Sequence, residues 1–346
     1  MTQALKRSIS LALLLAAPLL VGAAPAQAPI SPPGSAPSAV PPAETVTPPV
    51  VVVPFIQPFD LDATRRMSVQ VMIGGKGPYS FLVDTGAERT VIARELAERL
   101  GLVEGAKLRL ATIGSSTTVP SYRIAALQMS DLHLAGVDAP AFFGRHIGAA
   151  GLIGVDMLEE RRILIDFRKE SMQILETRRR APSLIKDDDA IVVTARNSAG
   201  RLILSDARLG GKRIDVIVDT GAQTSVGNLA MQKLVADRRA NRYPFVATEL
   251  GAVTGETVPA MRTTIKRIVI NGMDINDLNV SFADSQAFRA LGLNERPALL
   301  LGMDSLSLFD RVEIDFPNKR VVFDLPDGAS RETRQRLAAN FAVRGS

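Results

Sequence analysis

The chain has 346 residues, of which 46% are apolar, 22% charged and 5% aromatic, with a formal net charge of +5. That apolar fraction excludes wholesale disorder, and the length allows two ordinary domains. Basic residues are interspersed with acids and aromatics are scarce, so no nucleic-acid partner is expected. With no cysteine and only His133 and His146, thiol chemistry, disulfides and Cys/His metal sites are excluded, and no cofactor is expected.

In chain order, residues 1–28 read as a secretory signal. Lys6 and Arg7 form a basic start, Leu11 to Gly22 an apolar stretch, and Ala24-Pro25-Ala26 and Ala26-Gln27-Ala28 two small-x-small sites, the first favoured for cleavage. The competing reading, a retained anchor, is weakened by Pro18 and by an apolar run short for a span. A periplasmic or secreted location follows, with no stable membrane insertion once the signal is gone. Residues 29–53 are a Pro/Ala-rich linker of almost no charge.

From there the chain is written twice. Ile73-Gly74-Gly75-Lys76 followed by Phe81-Leu82-Val83-Asp84-Thr85-Gly86-Ala87 reappears as Leu209-Gly210-Gly211-Lys212 followed by Val216-Ile217-Val218-Asp219-Thr220-Gly221-Ala222. Thr118-Val119-Pro120 is echoed by Thr257-Val258-Pro259, Leu152-Ile153-Gly154 by Leu300-Leu301-Gly302, and Ile165-Asp166-Phe167 by Ile314-Asp315-Phe316. The offsets, 135, 139, 148 and 149 residues, keep their order and grow slowly, so the second copy carries short insertions. The copies divide the chain into an N-terminal lobe over 54–180, a polar, solvated inter-lobe linker over 181–189 within the charged tract 176–189, a C-terminal lobe over 190–328, and a helix or tail over 329–346.

Each copy reads mainly as strand. Met67–Ile73 and Tyr79–Val83 flank a Gly-rich hairpin turn at residues 74–78. Ile163–Phe167 with Met172–Leu175, and Val312–Phe316 with Arg320–Phe323, flank polar turns. One short helix follows each Asp-Thr-Gly, marked by Ala93, Leu96, Ala97 and Leu100 in the first copy and by Leu229, Leu234 and Val235 in the second. His133, in an alternating stretch, is an ordinary strand histidine. His146 has no Gly-x-Ser-x-Gly serine to orient.

An apolar strand that ends in Asp-Thr-Gly buries itself yet delivers a carboxylate at its tip. Glycine there permits a close backbone approach, and the threonine hydroxyl can bond backbone across a lobe interface. One such turn would be read as a solvated aspartate. Two in matched contexts point to paired carboxylates, Asp84 and Asp219, supported by Thr85, Gly86 and Ala87 and by Thr220, Gly221 and Ala222. Two close carboxylates share a proton, so one can activate a water while the other protonates the substrate.

On these motifs, over about residues 65–326, the sequence resembles the retropepsin-like aspartic proteases, in an exported form with both lobes in one chain. The resemblance implies a mainly β, two-lobed acid-protease β-barrel fold with pseudo-twofold symmetry and a short helix per lobe. It also implies an aspartic endopeptidase acting on protein or peptide substrates as a monomer with two internal lobes. It places the late glycine segments beside the aspartate strands, and flaps near Ile113–Tyr122 and Gly251–Met261. Ala87 and Ala222 look retroviral rather than pepsin-like. Three rival readings stand beside it: a non-catalytic two-lobed peptide binder, lobes that pair between chains, and a two-carboxylate glycosidase, which needs no Asp-Thr-Gly symmetry.

Overall fold

A computed structural model describes residues 56–58, 60–61, 66–129, 132–187, 190–198, 200–237 and 243–326. The signal, the linker at 29–53 and the terminal helix expected at 330–342 lie outside the described residues. The fold is mainly β, with two closed six-stranded barrels. The first barrel runs Met67–Ile73, Lys76–Val83, Gly151–Ile153, Val91–Ala93, Leu132–Phe142, Ser121–Met129 and back to Met67–Ile73. The second repeats this order with Arg201–Leu209, Lys212–Val218, Ala298–Leu301, Ser225–Gly227, Met273–Phe282 and Thr257–Ile270. Closure leaves neither barrel with a free edge among these strands.

The local causes are legible. Gly74 and Gly75 both take positive φ (55° and 76°), and so do Gly210 and Gly211 (50° and 85°). Two consecutive left-handed residues make the two-residue turn whose twist matches a hairpin. The turn is therefore tighter than residues 74–78, and the second strand begins at Lys76. Leu96 and Ala97 are buried on the helix Arg94–Leu100. On the matching helix Leu229–Ala236 the buried pair is Met231 and Val235, whereas Leu229 is 40% exposed. Leu229 is the first helical residue, after the Asn228 cap, and lies off the face that packs on the barrel.

A third sheet region joins the lobes. Its order is Ile56–Pro58, Ser171–Glu176, Arg161–Asp166, Arg311–Asp315, Arg320–Asp324 and Ile191–Ser198, three strands from each copy, with Arg161–Asp166 antiparallel to Arg311–Asp315 at the centre. Alternation gives this sheet two different faces. Ile163, Ile165, Val312 and Ile314 enter the main core. Arg162, Glu313 and Asp315 point the other way and are buried too.

The charge runs of the linker are solvated as expected, with Arg178, Arg179, Arg180 and Asp187 exposed, while its backbone answers that second face. Arg162 bonds Asp315 (Nη2–Oδ2 2.8 Å), and its Nη1 donates to the Pro182 carbonyl (2.7 Å). Arg320 Nη2 reaches Asp315 Oδ2 and the Ala181 carbonyl, each at 2.8 Å. Glu313 Oε2 accepts from Ser183 Oγ and the Leu184 N–H. Ile185 is buried with Leu164 and Val322. The tract answers these buried charges through its backbone and Ser183, and Ile185 anchors it. His133 sits exposed on the strand Leu132–Phe142.

Two hairpins project beyond the barrels. Leu108–Ala111 pairs with Ser116–Val119 around a turn at residues 112–115, and Val246–Gly251 pairs with Thr257–Arg262 around a turn at 252–256. The first lies earlier than Ile113–Tyr122, because Ser121 and Tyr122 belong to the barrel strand Ser121–Met129 and are buried. The second begins five residues before Gly251.

Candidate active site

Each Asp-Thr-Gly turn leaves its barrel at the end of a strand clamped from the side. Lys76–Val83 runs parallel to Gly151–Ile153, and Lys212–Val218 parallel to Ala298–Leu301. The clamp continues into the turns: the Asp84 N–H donates to the Ile153 carbonyl and the Asp219 N–H to the Leu301 carbonyl, both at 3.0 Å. Beyond the aspartates, the N–H groups of Val155 and Met303 donate to the carbonyls of Ala87 and Ala222, both at 2.9 Å.

The carboxylates are held alike. Oδ1 of Asp84 accepts from the N–H groups of Gly86 and Ala87, each at 2.8 Å. Oδ1 of Asp219 accepts from Gly221 (3.0 Å) and Ala222 (3.1 Å). Each carboxyl also lies against the glycine of the opposite turn. A Cβ placed on Gly221 would fall 2.2 Å from Asp84 Cγ, and one on Gly86 would fall 2.5 Å from Asp219 Cγ. No other residue type leaves that space, and the two aspartates therefore converge across the lobe boundary.

The threonines lock this arrangement. Thr85 Oγ1 donates to the Val218 carbonyl (2.9 Å) and Thr220 Oγ1 to the Val83 carbonyl (2.7 Å). In return each hydroxyl accepts an N–H from across the boundary, Thr85 N to Thr220 Oγ1 at 3.1 Å and Thr220 N to Thr85 Oγ1 at 3.2 Å. Both threonines are buried.

A second duplicated network lies behind each turn. Thr90 Oγ1 donates to Asp156 Oδ1 (2.7 Å) and accepts from the Gly154 N–H (3.0 Å). Ser225 Oγ donates to Asp304 Oδ1 (2.9 Å) and accepts from the Gly302 N–H (3.1 Å). Burial raises Asp156 above the ordinary carboxylate range, against the lowering effect of the Thr90 bonds. The Asp-x-Leu motifs thus fix the late glycine segments to the strands that follow the aspartates.

Burial also dominates the electrostatics of the pair. Asp219 is only 8% exposed, and the desolvated site together with the neighbouring Asp84 charge pushes it up to about 7, against the N–H bonds of Gly221 and Ala222 and the positive charge of Arg201. Asp84, only partly buried by surface, is raised by the same desolvation and held back by the Ala87 and Gly86 N–H groups, Arg201 and Arg66. A pair so placed holds one proton between its members.

Sequence reasoning missed the arginines. Arg201 reaches across the boundary to donate Nε–H to the Gly86 carbonyl at 2.5 Å. Arg66 occupies the same place in the first copy, 135 residues earlier, the spacing of the aspartates themselves. Counted back from the glycine turn, the repeat sets Arg66 against Leu202; the strand register, with Ser68 opposite Leu82 and Ile203 opposite Ile217, is what aligns the two arginines. Among the described residues no cluster of His, Cys, Asp and Glu could hold a metal ion, and no helix is long and apolar enough to cross a membrane.

No curated protein matches the chain. A family model described as aspartyl protease matches residues 69–157 and again residues 205–305, once for each barrel and its Asp-Thr-Gly turn. Together these matches cover more than half of the sequence, and the chain belongs to the retropepsin-like aspartyl protease family.

Proposed function

We propose that this protein is an aspartic endopeptidase that hydrolyses peptide bonds with a water activated between Asp84 and Asp219. The observation that carries this reading is the mutual seating of each carboxyl against the opposite turn's glycine, with one oxygen of each fixed by two N–H groups. In this mechanism the ionised member of the pair takes a proton from the bound water, whose oxygen attacks the scissile carbonyl. The protonated member donates to the carbonyl oxygen, and a proton delivered to the amine nitrogen releases the two products. Arg201 holds the Gly86 carbonyl and so steadies the turn that carries Asp84. The projecting hairpins, whose tips meet across the boundary, serve as the roof of the substrate groove. Substrates are proteins or peptides, met in the periplasm or outside the cell after removal of residues 1–28.

The pair needs one proton, and its affinity for that proton lies near neutrality. Activity is therefore expected at acidic to near-neutral pH and to fall as pH rises through about 7. The test is mass-spectrometric cleavage profiling of a mixed peptide library by the mature protein across pH, beside Asp84→Asn and Asp219→Asn. Each variant is expected to lose at least about a hundredfold in rate. Equal, negligible cleavage by wild type and variants would make the chain a peptide-binding protein instead, and a rate that climbs steadily to high pH would reject the shared proton.

A further inference from the structure

At one place the two copies differ sharply in bulk. Strand register fixes the equivalence: Gly151 and Leu299 sit opposite Ile92 and Gly227, and Ala141 and Phe282 lie on the other side of the same two residues. The residues that follow, Phe142 and Phe143 in the first copy, are therefore Ala283 and Asp284 in the second. The helices after the aspartate turns begin 135 residues apart, so Arg94 becomes Leu229. In the first copy Phe142 is buried, and Phe143 lies under the guanidinium groups of Arg145 and Arg94, at 4.4 and 5.7 Å. All three replacements are smaller. Leu229, Ala283 and Asp284 together line two adjoining cavities of about 620 and 420 Å³. Neither cavity is lined by a residue of the Asp-Thr-Gly turns.

The larger cavity is a trough with a strand edge along one side. Leu229, Met261 and Phe282 supply hydrocarbon, and Ala247 and Glu249 come from Val246–Gly251, the last strand of its sheet. Its charged lining is acidic, Glu249 and Asp284, with no basic side chain; Asp284 is bonded to Arg289 of the smaller cavity. An occupant that complements it carries an apolar ring flanked by positive charge. Residues 330–346 have that composition: Arg331, Arg334, Arg336 and Arg344 stand against the single acid Glu332, and at helical spacing Leu337 and Phe341 share a face with Ala338. The linker at 29–53 has no aromatic residue and no base. Fifteen residues lead from Pro326, at the end of the described lobe, to Phe341. Three extended and twelve helical residues span about 28 Å, against a lobe about 35 Å across.

We propose that residues 330–346 dock as a helix in this trough of their own C-terminal lobe, with Phe341 taking the space that Phe142 and Phe143 fill in the first copy. Docking does not depend on whether peptides are cut, so its failure and that of the protease reading are separable. The test places p-benzoylphenylalanine at position 341 of the mature full chain and illuminates it at low protein concentration. Cross-links are expected within one chain, to residues 229–232, 247–249, 259–261 or 282–284. Leu229 is 40% exposed, so Leu229→Arg, which puts the first copy's residue at the mouth of the trough, leaves the core intact. That variant is expected to lower the cross-link yield about fivefold or more and to speed hydrogen exchange of the 337–342 amides about tenfold or more. Val103→Arg, at an exposed position of the other lobe, is expected to change neither. Cross-links that map elsewhere, cross-links formed only between two chains, or 337–342 amides already unprotected in the wild type would overturn the proposal.

Discussion

Asp219 gives up solvent to the opposing turn and receives two N–H donors in exchange, and the exchange is unequal: its proton affinity rises to about 7. The sign of the effect on stability follows. The unfolded chain releases this proton near the ordinary carboxylate value, whereas the folded chain keeps it up to about pH 7. Folding is therefore progressively opposed as pH rises across that window, and the penalty is complete above it. Asparagine keeps an oxygen to accept from Gly221 and Ala222 and has no proton to lose. Asp219→Asn is expected to stabilise the protein at pH 8 by roughly 2–4 kcal/mol, a difference that shrinks towards nothing near pH 4. Thermal melts of both proteins across pH check this, and a constant offset would be the contrary result. A site that destabilises its own fold is a familiar mark of selection for chemistry over stability.

Among the elements, the crossed threonines bind turn to turn. Valine at position 85 keeps the shape but leaves the Val218 carbonyl and the Thr220 N–H without partners in a dry interior. Thr85→Val is expected to lose about 2–4 kcal/mol by denaturant titration, whereas Thr85→Ser, which retains the hydroxyl, loses little. Combining Thr85→Val with Thr220→Val is expected to cost slightly less than the sum of the two, because both changes remove the one contact they share, that between the two hydroxyls at 3.5 Å. Much of this was legible in the sequence. The strand Met67–Ile73 and the aspartate turns announce themselves through short-range rules, and the repeat supplies the symmetry that brings the turns together. What was not legible depends on non-local pairing. The first hairpin was placed too late because Ser121 and Tyr122 read as hairpin until the barrel claims them. Leu229 looked like core and is not, since its helix turns Met231 inward. Arg201 meets the Gly86 carbonyl only once two lobes are folded against each other.

At the scale of the whole molecule, the lobes share one continuous six-stranded sheet, and its outer face carries buried charge. Arg162 neutralises Glu313 and Asp315 from the opposite lobe, with Arg320 as a second, more exposed partner. Removing Arg162 strands two carboxylates away from water. Arg162→Met is expected to destabilise the protein by about 3–5 kcal/mol, and Arg320→Met by less. Because the strands run unbroken from one lobe to the other, both variants are expected to melt in a single calorimetric transition, and two separated transitions would show that the lobes fold independently. The order of that sheet has a wider consequence. Its two central strands belong to different copies and face each other head to tail, so half of this molecule on its own would expose a long unpaired edge and would close it with a second half. Joining the halves in one polypeptide removes that hazard, and it does something a homodimer cannot: a mutation reaches one half at a time.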